Sequence, residues 1–322
     1  MNLHKNTEQF LTLVNFTAEH FHILPAFIEK DYWITRSLQR MSQNKNAGKV
    51  VFKGGTALSK AFRLTNRFSE DIDIAVIDAN SMTGNQLKML IKRLAKDMAS
   101  DLEERVVRCV TSKGSRFYRS IYLYPNFNNI DTSTVKAGQL LIEINTYGNP
   151  YPYVKQEISS FIGDYLTAIN RKDLLEEYDL KPFAINVLDK RRTILEKLVS
   201  LLRFSFSEDT QIALAGKIRH FYDLYFLTND NECTDYIQSS AFYGDLQELF
   251  AHDQTEFDTP QGWTDRAISD SPILDNFSTL WQYLRSTYQT ELQPLAFIEI
   301  PDEKQIEKAF MKLTEQIKNG FI

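Results

Sequence analysis

Cysteine is scarce in this chain of 322 residues: there are two, Cys109 and Cys233, and no CxxC pair. That argues against a disulfide scaffold or a cysteine zinc site and fits a reducing cytoplasm. The five histidines include no HxxxH spacing. His20 and His22, two apart on a helical stretch, project from different faces and read as ordinary helix residues. No apolar run approaches the ~20 residues that span a bilayer. The segment "MNLHKNTEQFLTLVNF" lacks a charged stretch followed by an apolar one, so export by signal peptide is not expected. There is no GxxxxGK[ST] or GxGxxG phosphate loop, no repeat and no low-complexity tract.

What is present is globular in character: 43% hydrophobic and 25% charged residues. The length allows one large domain or two ordinary ones. A net charge of −5 conceals an asymmetry. Asp230 to Asp275 holds eleven acidic residues and one basic one, Arg266, which leaves the rest of the chain at +5. Gln86 to Arg119 holds nine Lys and Arg against four Asp and Glu. That basic stretch is either a solvated face or, with the interleaved aromatics of "SKGSRFYRSIYLY", a surface for a phosphate-bearing partner. The acidic block would repel nucleic acid; it would suit a basic protein or shield the chain's own positive groove.

Hydrophobic periodicity predicts a helix over "TEQFLTLVNFTAEHF", capped at Thr7, and a second from near Glu29 in "EKDYWITRSLQRM". "KVVF" reads as a short buried strand ending at Gly54-Gly55. "TALSKAFRL" then reads as a helix, and the β-branched "DIDIAVI" as a strand. A long amphipathic helix over "QLKMLIKRLAKDMASDLEE" precedes three strands, "RVVRCVT", "FYRSIYLY" and "QLLIEINTY". The turns "SKGS" and "PNFNN…KAG" suit antiparallel pairing of those strands. Beyond Pro150 come one more strand, "FAINVLD", whose return to the first sheet would blur the domain boundary, and then helices, "KRRTILEKLVSLLRF" and "KIRHFYDLYFLT" foremost.

The chemistry centres on "FKGGTALSKAFRLTNRFSEDIDIAV". Alternation on a strand projects Asp71 and Asp73 side by side while Ile72 and Ile74 enter the core. Two carboxylates so close repel unless a positive charge lies between them, and hard oxygen ligands favour Mg²⁺ or Mn²⁺. Two solvated aspartates on an edge strand would look the same. Glu143 sits mid-strand in "LLIEINTY", where a glutamate is paired or functional. Were that strand adjacent to "DIDIAVI", three carboxylates would converge, the layout of two-metal phosphoryl or nucleotidyl transfer. Gly54 and Gly55 would let the backbone approach a phosphate at the start of a helix, with Thr56 adding a hydroxyl. Alone, a glycine pair is only a turn.

In this order the motifs resemble the AbiEii/AbiGii toxin family of nucleotidyltransferases, within the DNA polymerase β-like superfamily. "KGGTALSKAF…RFSEDIDI" is similar to its first motif, "IEKDYWITRSLQRM" to its N-terminal signature, "INVLDKRRTILEKLVSLL" to its central motif and "IRHFYDLYFL" to its later one. The four blocks run from about Ile28 to Leu227; nothing beyond them carries the likeness. The resemblance implies an α+β fold: a polymerase β-like nucleotidyltransferase domain over residues 1–180, its mixed sheet flanked by helices, and an α-helical domain over 181–322 that completes the cleft. It implies a toxin of a bacterial toxin–antitoxin or abortive-infection (phage defence) system. Such a toxin uses a nucleoside triphosphate and Mg²⁺ (or Mn²⁺), transfers a nucleotide to RNA, with the tRNA 3′ end the expected acceptor, and has an antitoxin as partner. A protein acceptor, or a regulatory module that binds nucleotide without transfer, are the alternatives.

By position, the resemblance places Gly55 and Thr56 at the triphosphate, Asp71 and Asp73 on the metals, Lys197 at nucleotide phosphates, and Asp223 beside Lys197 or a substrate hydroxyl. Glu143 matches more loosely, as a ligand, as the base, or as neither. Lys197 borders the stripe Ile194, Leu195, Leu198, Leu201 and Leu202, which suits a buried stem with its ammonium in a cleft, or a plain surface lysine. Arg219 and Asp223, four apart, could simply form a helical ion pair; for this pair the resemblance, rather than the spacing, points to function, with Arg219 at the nucleotide. Lys60, Arg67 and Ser69 are further nucleotide-binding candidates: Arg67 would meet a catalytic acid or a phosphate, and Ser69 could merely start the strand.

Overall fold

Among the described residues, eight strands build one mixed sheet: β1 (Val50–Lys53), β2 (Asp71–Val76), β3 (Glu103–Arg105), β4 (Ser112–Lys113), β5 (Phe117–Leu123), β6 (Gln139–Asn145), β7 (Tyr153–Ile158) and β8 (Phe183–Leu188). Their order is β3-β5-β6-β2-β1-β8-β7, with β4 also pairing β5. β2 runs antiparallel to β1 and parallel to β6, and β8 runs parallel to β1. This computed structural model describes residues 1–127 and 138–321, so most of the "PNFNN…KAG" turn lies outside the described residues.

The sheet belongs to the first of two compact units, Met1–Arg63 with Phe68–Leu188; the second is Leu64–Arg67 with Asp189–Ile322. The first unit also holds helices α1 (Thr7–Phe21), α2 (Pro25–Gln43), α3 (Gly54–Lys60), α4 (Gly84–Met98), α5 (Phe161–Ala168) and α6 (Lys172–Glu177). One sheet face is apolar because the β-branched residues alternate: Ile72, Ile74, Ile142 and Ile144 are all fully buried. α4 buries Leu87, Leu90, Ile91, Leu94 and Met98 along one stripe, and Thr83 and Gln86 close a capping box at its start.

Several boundaries differ from the sequence reading for local reasons. Asn6, rather than Thr7, caps α1, its side chain accepting from the Gln9 N–H. α2 begins at Pro25, ahead of Glu29, because proline at the first helical position needs no N–H partner. "RVVRCVT" is not one strand: it turns at Cys109, where φ is 66° and Thr111 Oγ1 accepts from the Val107 N–H. β3 and β4 on either side of that turn both pair with β5. The segment 151–180 contributes β7, α5 and α6.

The second unit is helical: α7 (Lys190–Ser205), α8 (Thr210–Ala215), α9 (Ile218–Thr228), α10 (Asn231–Gln238), α11 (Ser240–Glu256), α12 (Pro272–Asp275), α13 (Phe277–Leu292) and α14 (Glu303–Phe321). Phe221, Phe277, Trp281 and Phe310 form its aromatic centre, with ring centroids 4.4 to 5.7 Å apart. Part of the acidic block is used locally. Asp230 caps α10 through the Cys233 N–H, and Asp230 and Glu232 both hold Lys190 at 2.7 Å. Among the described residues no helix is long and apolar enough to cross a membrane.

Candidate active site

In the sheet unit, one rung crosses four strands. Lys53 on β1 stands in register with Asp73 on β2, Asp73 with Glu143 on β6, and Glu143 with Arg119 on β5. Register partners share a sheet face, so four charges line up as cation, anion, anion, cation. Asp71 lies two residues from Asp73 on the same half-buried face, opposite the buried Ile72 and Ile74. The strand adjacency anticipated for Glu143 is present. The Arg119 guanidinium comes within 3.8 Å of the Glu143 carboxylate. Burial pushes the Glu143 carboxyl above its ordinary range, against the pull of Arg119 and Lys53 and with a further push from Asp71.

The glycine turn is built around Asp73. Gly54 opens α3 with φ at 80°, a conformation disfavoured for L side chains, and a Cβ there would collide with Asp73 Oδ2. Gly55 follows in the first turn of α3, for which Lys53 supplies no side-chain cap. Thr56 is buried, and its hydroxyl donates to the Asp71 carbonyl at 2.5 Å, tying α3 to the start of β2. Lys60 is also engaged inside the unit: its ammonium pairs with Asp31 and donates to the Ser159 carbonyl at 3.0 Å. Ser69 is half-buried just ahead of β2.

The helical unit presents a second cluster, entirely buried. Asp223 on α9 accepts two hydrogen bonds from Arg67, Nε to Oδ1 at 2.9 Å and Nη2 to Oδ2 at 2.8 Å. Lys197 on α7 donates to Oδ2 at 2.7 Å. Burial alone would raise the Asp223 carboxyl, but the Arg67 and Lys197 charges hold it well below the usual carboxylate range. Arg67 also lies 5.9 Å from the Tyr222 ring centroid and forms a bridge with Ala296. The helical pair considered from spacing, Arg219 with Asp223, is not what Asp223 makes; Arg219 instead approaches Glu291 at 4.0 Å.

Sequence reading passed over Lys53 and Arg119, which flank the two anions. Lys53 stands in the quoted motif, directly before the glycines at the end of a strand; Arg119 lies in the basic, aromatic stretch, where nothing local marks it as the partner of Glu143. The charged "EKD" of α2 also finds its partners within the sheet unit. Glu29 accepts from the Phe127 N–H at 2.9 Å, Lys30 pairs with Glu70 at 2.7 Å, and Asp31 holds Lys60 and the Phe161 N–H.

The donor set suits a hard divalent cation in one respect. Asp71 and Asp73 offer carboxylate oxygens from one face, and Gly54 leaves the space that Asp73 Oδ2 occupies. Among the described residues no three His, Cys, Asp or Glu side chains are gathered as a ready-made metal cage. Mg²⁺ in phosphoryl-transfer sites is typically held by one or two carboxylates together with substrate phosphates and water, so such a cage is not required.

The mixed sheet with its helical companion has a nucleotidyltransferase fold. The family model described as nucleotidyl transferase AbiEii toxin, type IV TA system, matches residues 36–311, and the chain belongs to that family of toxins of type IV toxin–antitoxin systems. No curated protein matches the chain.

Proposed function

We propose that this toxin is a metal-dependent enzyme that transfers a nucleotide from a nucleoside triphosphate to RNA, the tRNA 3′ end being its first candidate acceptor, in a bacterial toxin–antitoxin or phage-defence system. The observation that carries the reading is the pairing of Asp71 and Asp73 on one face of β2 with a glycine whose missing Cβ makes room for the Asp73 carboxylate. Asp71 and Asp73 would hold Mg²⁺ or Mn²⁺, which when bound neutralises triphosphate charge and favours departure of pyrophosphate. The Gly54-Gly55 backbone would approach the phosphates closely. Glu143, whose carboxyl is raised by burial, stands in register with Asp73; it would orient a donor or accept a proton from the attacking hydroxyl. A cognate antitoxin is the partner that family membership implies.

The test is label transfer. Protein, Mg²⁺ and each of the four α-labelled triphosphates are offered total RNA, tRNA and protein acceptors in parallel. Labelled RNA that disappears with chelator and in Asp73→Asn supports the reading. Label on protein alone would replace RNA as acceptor, and triphosphate binding without pyrophosphate release would reduce the chain to a binding module.

A further inference from the structure

On the sheet face opposite Asp73 lies a cavity of about 550 Å³ between α4 and β5. Its wall is basic: Lys88, Lys92 and Lys96 from α4, and Lys113 from β4. Its floor includes Tyr118 and Tyr122, whose hydroxyls lie 2.5 Å apart. Glu104 is the acidic residue there, and it is occupied by Lys113 at 2.8 Å and by the Ser120 and Tyr118 hydroxyls. Register explains the arrangement. Lys113 pairs with Tyr118 and therefore shares its face, whereas Arg119, one residue on, points to the Glu143 side.

The α4 lysines recur every fourth residue, each step rising about 6 Å along one helical stripe. α4 carries four basic residues and one acid, Asp97, which accepts from Asn44. α14 offers a contrast within the same chain. Lys304, Lys308 and Lys312 have the same spacing there but stand among Glu303, Glu307 and Glu315. Repulsion along the α4 stripe has no internal acid to relieve it, and a polyanion would relieve it. Arg116, just ahead of β5, has its guanidinium 5.2 Å from the Tyr147 ring centroid, and Arg119 lies on the carboxylate face.

We infer that the lysine-lined pocket between α4 and β5 is a docking site for the phosphodiester backbone of RNA, separate from the face that carries Asp71 and Asp73. The inference rests on the RNA reading above and adds where the strand is held. Phosphate contacts of this kind give affinity and orientation with little sequence preference.

The experiment measures binding of a short, unstructured, fluorescein-labelled RNA by anisotropy across a salt series. The proteins are wild type, the triple variant Lys88→Gln/Lys92→Gln/Lys96→Gln, and the charge-matched control Lys304→Gln/Lys308→Gln/Lys312→Gln. All six positions are exposed, and a thermal melt checks each variant's folding. Loss of three phosphate contacts should flatten the slope of log K against log salt by about 2, which is about a hundredfold at 0.1 M salt. The control should keep the wild-type slope. Equal losses in both variants would reduce the effect to net charge and overturn the site; so would an unchanged slope in the α4 variant, or a wild-type protein that binds anionic vesicles and not RNA. RNA that is held through α4 but never labelled would defeat the transfer reading and leave this site standing.

Discussion

Lys197 and Arg67 reach the same carboxylate oxygen: Asp223 Oδ2 accepts from the ammonium at 2.7 Å and from the guanidinium at 2.8 Å. Two cations around one anion leave the buried cluster with a net positive charge. Removing the anion strands both. Asp223→Ala is therefore expected to destabilise the protein by about 3–5 kcal/mol, read by chemical denaturation. A loss below about 1 kcal/mol would show that the cluster is far better solvated than its burial indicates.

The same cluster sets an acid limit. Folded Asp223 ionises well below its unfolded value near 4, so the unfolded chain takes up a proton there first. Its stabilisation is complete above about pH 4 and is lost as the pH falls toward the folded value. Melting temperatures from pH 6 down to pH 3 should drop more steeply for wild type than for Asp223→Asn. Parallel curves would mean that Asp223 is not depressed.

Gly54→Ala should cost about 1–2 kcal/mol from the positive φ alone. It should also displace the Asp73 carboxylate, because the added carbon meets Oδ2. Nucleotidyl transfer should fall by more than the loss of stability explains. Wild-type activity at a lowered melting temperature would show that Asp73 moves aside without consequence.

Asp73→Asn separates chemistry from folding. It should lower transfer at least about a hundredfold while keeping or raising the melting temperature, because it removes one of two like charges facing each other across β2 and β6. Full pyrophosphate release by this variant would remove Asp73 from the proposed metal site.

Thr56→Val keeps the shape of the side chain and deletes the hydrogen bond to the Asp71 carbonyl. A loss of about 1 kcal/mol is expected, with Thr56→Ser recovering most of it. Should Thr56→Ser fail to recover stability, the methyl group rather than the hydroxyl secures α3 to β2.

Much of this was legible locally. Alternation in "DIDIAVI" puts Asp71 and Asp73 on one face, and the apolar stripes of α4 and α7 are readable in one dimension. What escaped depends on pairing between distant segments. Arg119 matters because antiparallel register sets it opposite Glu143, 24 positions away by number (143 − 119), and no local pattern encodes that register. That Arg67 meets an acid is legible, but the acid is Asp223, 156 residues on, and no local pattern names it. The break in "RVVRCVT" was hidden because valine-rich composition favours a strand, while the turn depends on a positive φ at Cys109 and a hydroxyl at Thr111.

The helical unit borrows four residues, Leu64–Arg67, from the middle of the segment that forms the sheet unit. No single cut therefore yields two complete halves. A fragment ending at Leu188 would carry Arg67 without Asp223, and one starting at Asp189 would hold Asp223 and Lys197 without the guanidinium that completes their cluster. Split-protein complementation, in which two pieces are coexpressed and regain function together, would have to return Arg67 to that buried carboxylate before the helical unit was whole.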